Sequence, residues 1–133
     1  MAPRRWAVIS LTVMVTAEGI PYLAGLRLRE SQTSAAAGNL KSALEDAAAA
    51  RELEPWATSP YVQEALVEEE QGDLSDARRS IGQAIDHDRT DWTLWLIHTR
   101  LETEAGAIAS ARRSLDRMRS LNPRSPIVTS LPR

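Results

Sequence analysis

A chain of 133 residues with a formal net charge of −2 has room for one modest domain and no general attraction for nucleic acid. It contains no cysteine, which excludes disulfides and thiol chemistry. Alanine, leucine, arginine and glutamate dominate and phenylalanine is absent, a helix-forming composition; arginine so outnumbers lysine (Lys41 alone) that the bias resembles that of high-GC bacterial genomes.

The first element is apolar. Arg4 and Arg5 precede an uncharged run from Trp6 to Ala17; Glu18 then interrupts, and apolar residues resume as far as Leu26, before Arg27 and Arg29. As a helix, residues 6–26 would rise about 1.5 Å per residue, close to the hydrocarbon thickness of a bilayer. The leading expectation is therefore a single-pass membrane anchor, with Trp6 and Tyr22 at the interfaces. A short N-terminus carrying Arg4 and Arg5 favours an inside start, which places the rest of the chain outside the cytoplasm. Two other readings stand beside it: a cleaved signal peptide, with Val15 and Ala17 as the small-residue cleavage site, and a buried helix stacked on the helices downstream. Glu18 opposes the anchor, because a carboxylate at mid-bilayer costs a few kcal/mol. Gly19 and Pro21 mark a kink beside it.

The remainder is periodic. Gly38, Gly72 and Gly106 stand 34 residues apart, as do Ala43, Ala77 and Ala111, and Pro55, Arg89 and Pro123. After each glycine comes an apolar stripe at helical spacing: Leu40, Ala43, Ala47, Ala50; Leu74, Ala77, Ile81, Ala84; Ile108, Ala111, Leu115, Met118. A second run precedes the later glycines, Tyr61, Val62, Ala65, Leu66 and then Trp92, Trp95, Leu96, Thr99. Ser59 with Pro60, Asp73 and Asp91 read as N-terminal caps, and Glu54-Pro55, Arg89-Thr90 and Asn122-Pro123 as stops. The pattern predicts helices over 39–53, 58–71, 74–87, 91–105 and 108–121. Composition divides the chain into an anchor or signal segment (1–29), helical repeats (30–123, the second helix of one unit and then two full units) and a proline-rich tail (124–133).

These residues resemble the tetratricopeptide repeat (TPR) family. The second unit matches its signature with Tyr61, Ala65, Gly72, Ala77, Ile81 and Ala84, and the third with Trp95, Gly106, Ala111, Leu115 and Pro123. The first unit matches in its second helix alone, with Gly38, Ala43, Ala47, Ala50 and Pro55. The resemblance implies an all-α solenoid of about three helix-turn-helix units. It also implies a scaffold that holds a protein or peptide and does no chemistry. The family's large apolar residues late in each first helix are replaced here by Glu64 and Glu68, and by His98 and Glu102. A fainter resemblance links the hydrophobic span and Arg-rich repeats to the C-terminal tail of bacterial O-antigen ligase-like membrane proteins. It implies an accessory segment of a glycan-assembly protein; a secreted soluble adaptor is the third functional reading.

Catalytic and cofactor chemistry finds no foothold. His87 and His98 lie in different units without metal-ligand spacing; His87 suits the end of a helix, where a cation meets the dipole. No serine or threonine sits in a nucleophile turn, and no glycine-rich run ends in Lys-Ser/Thr. Glu68-Glu69-Glu70 reads as a solvated charge run. The recurring pairs Arg78-Arg79 and Arg112-Arg113 are expected to pair with Glu64, Glu68, Glu102 and Glu104, with a basic edge for acidic partners or lipid phosphates as the alternative. No catalytic, cofactor or metal residue is assigned.

The family's alignment puts Val62, Leu66, Glu69 and Glu70 of the second unit, and Leu96, Arg100, Thr103 and Glu104 of the third, on the concave face. Val62, Leu66 and Leu96 are wrong for clamping a terminal carboxylate. An apolar floor with an acidic rim fits an amphipathic or basic helix; the alternative is that these residues pack on a neighbouring element. The last unit has no capping helix, so Ile127, Val128 and Leu131 either fold back over Ile108, Leu115 and Met118 or leave a face open to self-association.

Overall fold

The computed structural model describes residues 4–126, with side chains from Gly19 to Pro126. Its helices are α1 (Arg4–Ala36), α2 (Leu40–Leu53), α3 (Thr58–Gln71), α4 (Leu74–His87), α5 (Trp92–Glu104) and α6 (Ile108–Leu121). No strand occurs among the described residues.

The glycine period is a backbone period. Gly38, Gly72 and Gly106 have φ of 76, 83 and 73°, the left-handed region that side chains with a Cβ disfavour. Each closes a helix in the same way. Gly72 N–H donates to the Glu69 carbonyl and Asp73 N–H to that of Glu68, both at 2.9 Å. Gly38 and Asn39, and Gly106 and Ala107, repeat the pair. These bonds satisfy carbonyls a helix end would leave bare and reverse the chain within three residues. Asn39 and Asp73 then cap the next helix, each accepting at 3.3 Å from a backbone N–H three residues on. Asp91 caps α5 by accepting from Thr93 N–H at 2.8 Å. The expected cap at Ser59 is not formed: α3 begins at Thr58 after Ala57, which makes no side-chain cap bond, and Pro60 lies buried in the first turn.

The helices pair as antiparallel hairpins, α1 with α2, α3 with α4 and α5 with α6, and each hairpin packs on the next through α2–α3 and α4–α5. Ala43, Ala47, Ala50, Ala65, Ala77 and Ala84 are completely buried, so small side chains let the backbones approach. Ile81, Leu101, Met118 and Val67 supply the bulk between them. The joints are pinned by aromatic tips. Tyr61 Oη donates to the Pro55 carbonyl at 3.0 Å, and one period later Trp95 Nε1 donates to the Arg89 carbonyl at 3.1 Å. Amphipathic rings suit this position because the ring buries area while its polar atom reaches the turn.

The first unit has a first helix, supplied by the end of α1. Ala24 and Ser31 are fully buried, and Ser31 Oγ donates to the Ala43 carbonyl at 2.7 Å. Arg27 reaches Asp46 of α2 at 3.2 Å. These contacts correct the membrane reading. Among the described residues no helix is long and apolar enough to cross a membrane, so the single-pass location, and the extracytoplasmic placement that depended on it, does not stand. The last turn of the 6–26 span contains buried Ala24 and half-buried Leu26, held against protein rather than left for lipid. The side chains of residues 6–18, Glu18 among them, lie outside the described residues, as do Ile127, Val128 and Leu131.

Candidate partner groove

The first helices of the three units, α1, α3 and α5, line a cleft of about 320 Å³. Its apolar floor comprises Leu28, Val62, Leu66, Leu94 and Ile97; Gln32, Gln63, Thr58, Ser59 and Thr93 supply polar groups. Val62 is half-buried, and Leu66 is 38% exposed, a large apolar side chain open to the cleft. Among the described residues Asp91 is the one charged lining group, and its carboxylate is committed to Thr93, through both N–H and hydroxyl. No described lysine or arginine lines the cleft.

The other expected groove positions lie elsewhere on α3 and α5. Leu96 is half-buried but does not line the cleft. Glu69 and Arg100 meet in an ion pair that joins α3 to α5, so neither is a free inward group. Burial raises the Glu69 carboxyl above its usual range, although Arg100 opposes this and Glu104 adds to it. Glu70, Thr103 and Glu104 are exposed, and Thr103 spends its hydroxyl on the Thr99 carbonyl at 2.7 Å. Sequence reasoning missed Leu28, Gln32, Leu94 and Ile97. A signal exists for two of them: Leu28 and Gln32 stand one period before Val62 and Leu66.

The acidic departures from the repeat pattern form clasps, half-buried at Glu68 and buried at Glu102. Glu68 accepts from Ser80 at 2.7 Å, and one period on Glu102 accepts from Ser114 at 2.7 Å and also from Ser110. Each clasp ties the first helix of a unit to the second. Glu64 instead joins units, through Arg51 at 3.3 Å. Burial raises the carboxyls of Glu64 and Glu68, against Arg51 in one case and the Ser80 hydroxyl in the other. The arginine pairing expected from sequence is therefore not what forms. Arg79 pairs with Asp76 at 2.6 Å. Among the described residues Arg78, Arg112 and Arg113 make no ion pair with Glu64, Glu68 or Glu102, which are held by Arg51 and the serines. His87 ends α4 with its ring against Tyr61, centroids 4.9 Å apart.

His98 joins the Glu102 clasp, with Nδ1 3.3 Å from Ser114 Oγ and Nε2 3.5 Å from Glu102. A hydroxyl, an imidazole and a carboxylate thus meet, but not as a nucleophile and its base. Ser114 gives its one proton to Glu102, so Nδ1–H must donate to Ser114, and Glu102 and Ser114 are buried. Burial lowers the His98 pKa below 6.5, Glu102 opposes the shift, and the nearby Arg78 reinforces it. Because the folded pKa is depressed, the unfolded chain binds the proton more readily. His98 then contributes stability above about pH 6.5 that is lost as pH falls below it. Glu64, Glu68 and Glu69, with raised pKa values, act in the opposite sense above about pH 4.5. The difference between native protein and His98→Asn isolates the histidine. The stability gap in urea titrations should shift against the native chain between pH 7 and pH 5; a pH-independent gap would refute the assignment. Among the described residues no group of three or more histidine, aspartate or glutamate side chains is placed to hold a metal.

Neither a scan of protein-family models nor a search of curated proteins gives a match to this chain. Solved structures do match. The first TPR of Spaghetti (RPAP3), bound to the HSP90 peptide SRMEEVD, superposes with a TM-score of 0.73 at 12% identity, over 81% of this chain and 88% of that one. This is a tetratricopeptide-repeat fold. The TPR2B domain of yeast Sti1, in complex with an Hsp70 peptide, has a TM-score of 0.71 at 16% identity, covering 76% and 81%. The Yersinia enterocolitica type III secretion translocator chaperone SycD has 0.71 at 14%, covering 91% and 90%. Identities this low establish the TPR architecture and leave the ligand to be argued from this chain's own side chains. Nothing in these comparisons supports the fainter resemblance to O-antigen ligase tails.

Proposed function

We propose that this TPR chain is a non-catalytic scaffold whose α1–α3–α5 groove receives a helical protein segment bearing apolar and basic residues. The observation that carries the reading is the lining: five aliphatic side chains and no cation among the described residues. RPAP3 is seen with a peptide ending Glu-Glu-Val-Asp. A groove without lysine or arginine offers such a carboxylate-rich end no counter-charge, whereas Asp91, its one charged lining group among the described residues, favours lysine or arginine on the visitor. An amphipathic helix would set its apolar stripe on Leu28, Val62, Leu66 and Ile97.

Matched probe helices test this, one with lysines on its polar face and one with glutamates, read by fluorescence anisotropy. The basic probe should bind more tightly, and Leu66→Glu should weaken it at least tenfold, since a buried leucine is worth about 1.5–3 kcal/mol. Equal affinity for the two probes, or binding indifferent to Leu66→Glu, would sink the proposal.

A further inference from the structure

The groove's first wall and a run of exposed apolar side chains belong to one helix. Leu28 on α1 lines the cleft, and α1 continues without a break to Arg4. On that continuation Ile20, Tyr22 and Leu23 are 38, 67 and 49% exposed, beyond the part of α1 that carries buried Ala24 and Ser31. Ile20 and Leu23 are three residues apart and so share a helix face. Upstream the sequence stays apolar from Trp6 to Ala17 and opens with Arg4 and Arg5. This chemistry suits a groove with an apolar floor, no described cation and Asp91 as its one charged lining group: an apolar helix with arginine and no acidic group before Glu18.

Wall and stripe cannot meet within one molecule. Ile20 precedes Leu28 by eight residues on the same continuous helix, about 12 Å along its axis. A second copy has no such restriction. Resting on the groove reading above, we propose that the N-terminal part of α1 docks in the α1–α3–α5 groove of a second copy of this chain. The exchange is reciprocal, each copy lending its helix and receiving the other's. A two-fold arrangement of that kind closes as a dimer, whereas one-way docking would propagate as a filament. Both exposed apolar features are covered at once, and an outside helix must then compete with the chain's own.

Sedimentation velocity at tens of micromolar, on the full chain and two single variants, tests this. Leu23→Glu disables the donor helix and Leu66→Glu the receiving groove; both side chains are exposed, so neither change should unfold the chain. The native chain is expected to dimerise and each variant alone to be monomeric. An equimolar mixture of the two should recover dimer, because one intact helix and one intact groove remain. A monomeric native chain, a dimeric Leu66→Glu variant or a mixture that stays monomeric overturns the proposal. The basic probe helix separates the two levels. If the chain is monomeric yet the probe binds in a Leu66-dependent way, the groove reading survives and the exchange fails. If the probe also fails to bind, both fall.

Discussion

Truncating Ile81 to alanine is expected to cost about 2–5 kcal/mol. Ile81 is completely buried in a cluster with Tyr61, Ala65, Ala77, Ala84, Ile85, Leu94 and Leu101. Where a large residue is ringed by long, flexible neighbours, the surroundings relax into the space left behind. Here three of the seven are alanines, whose methyl groups are fixed to the helix backbones and cannot follow, and only Tyr61, Ile85, Leu94 and Leu101 have side chains that can shift. The cavity therefore closes only in part, and the lining that stays apart loses its dispersion contacts. Urea unfolding followed by far-ultraviolet circular dichroism measures the loss. A change below about 1 kcal/mol would mean that the hairpins slide together and that the alanine-rich packing is compliant rather than rigid.

Removing the Ser114 hydroxyl tests the second buried feature. Ser114→Ala takes one of the donors from the Glu102 carboxylate, which is 1% exposed. Leaving a buried polar group short of a partner costs about 1–3 kcal/mol, more when it carries charge. Restoring an apolar residue at the other end should reverse the loss. Ser114→Ala combined with Glu102→Leu is expected to regain most of the stability, because no charge is then left to desolvate. Equilibrium unfolding of the two singles and the double gives the coupling directly. If the double is less stable than Ser114→Ala alone, the clasp is not the reason Glu102 is tolerated, and leucine does not fit between α5 and α6.

The parts of this fold legible in sequence are those fixed by backbone geometry. Three left-handed glycines and the alanine stripes place α2 to α6 within a residue or so of where they lie. The end of α1 is not legible as repeat. Residues 27–36 are almost all small or polar, and Ser31 is buried through a hydrogen bond to Ala43 rather than through apolar area. An apolar run upstream looks the same in sequence whether lipid or protein covers it. That ambiguity hides Leu28 and Gln32, and with them one wall of the groove. On α5 the 34-residue step carries Val62 to Leu96 and Leu66 to Arg100, yet the cleft is lined there by Leu94 and Ile97, and Arg100 is drawn to Glu69. Side-chain pairing of that kind depends on which carboxylate lies nearest in space, and no period in the sequence encodes it.

The aromatic pins at the joints are the smaller part of what holds one hairpin to the next. Between one hairpin and the next, the chain turns through a short stretch whose carbonyl is held by a single bond, from Tyr61 to Pro55 or from Trp95 to Arg89. One such bond is worth about 0.5–1.5 kcal/mol net, only a few times the thermal energy. The rest of each joint is carried by packing of α2 on α3 and of α4 on α5, and by the Arg51–Glu64 and Glu69–Arg100 pairs. The spacing of α3 and α5 is therefore fixed by a shared buried cluster, and widening the cleft means parting apolar surface as well as one hydrogen bond.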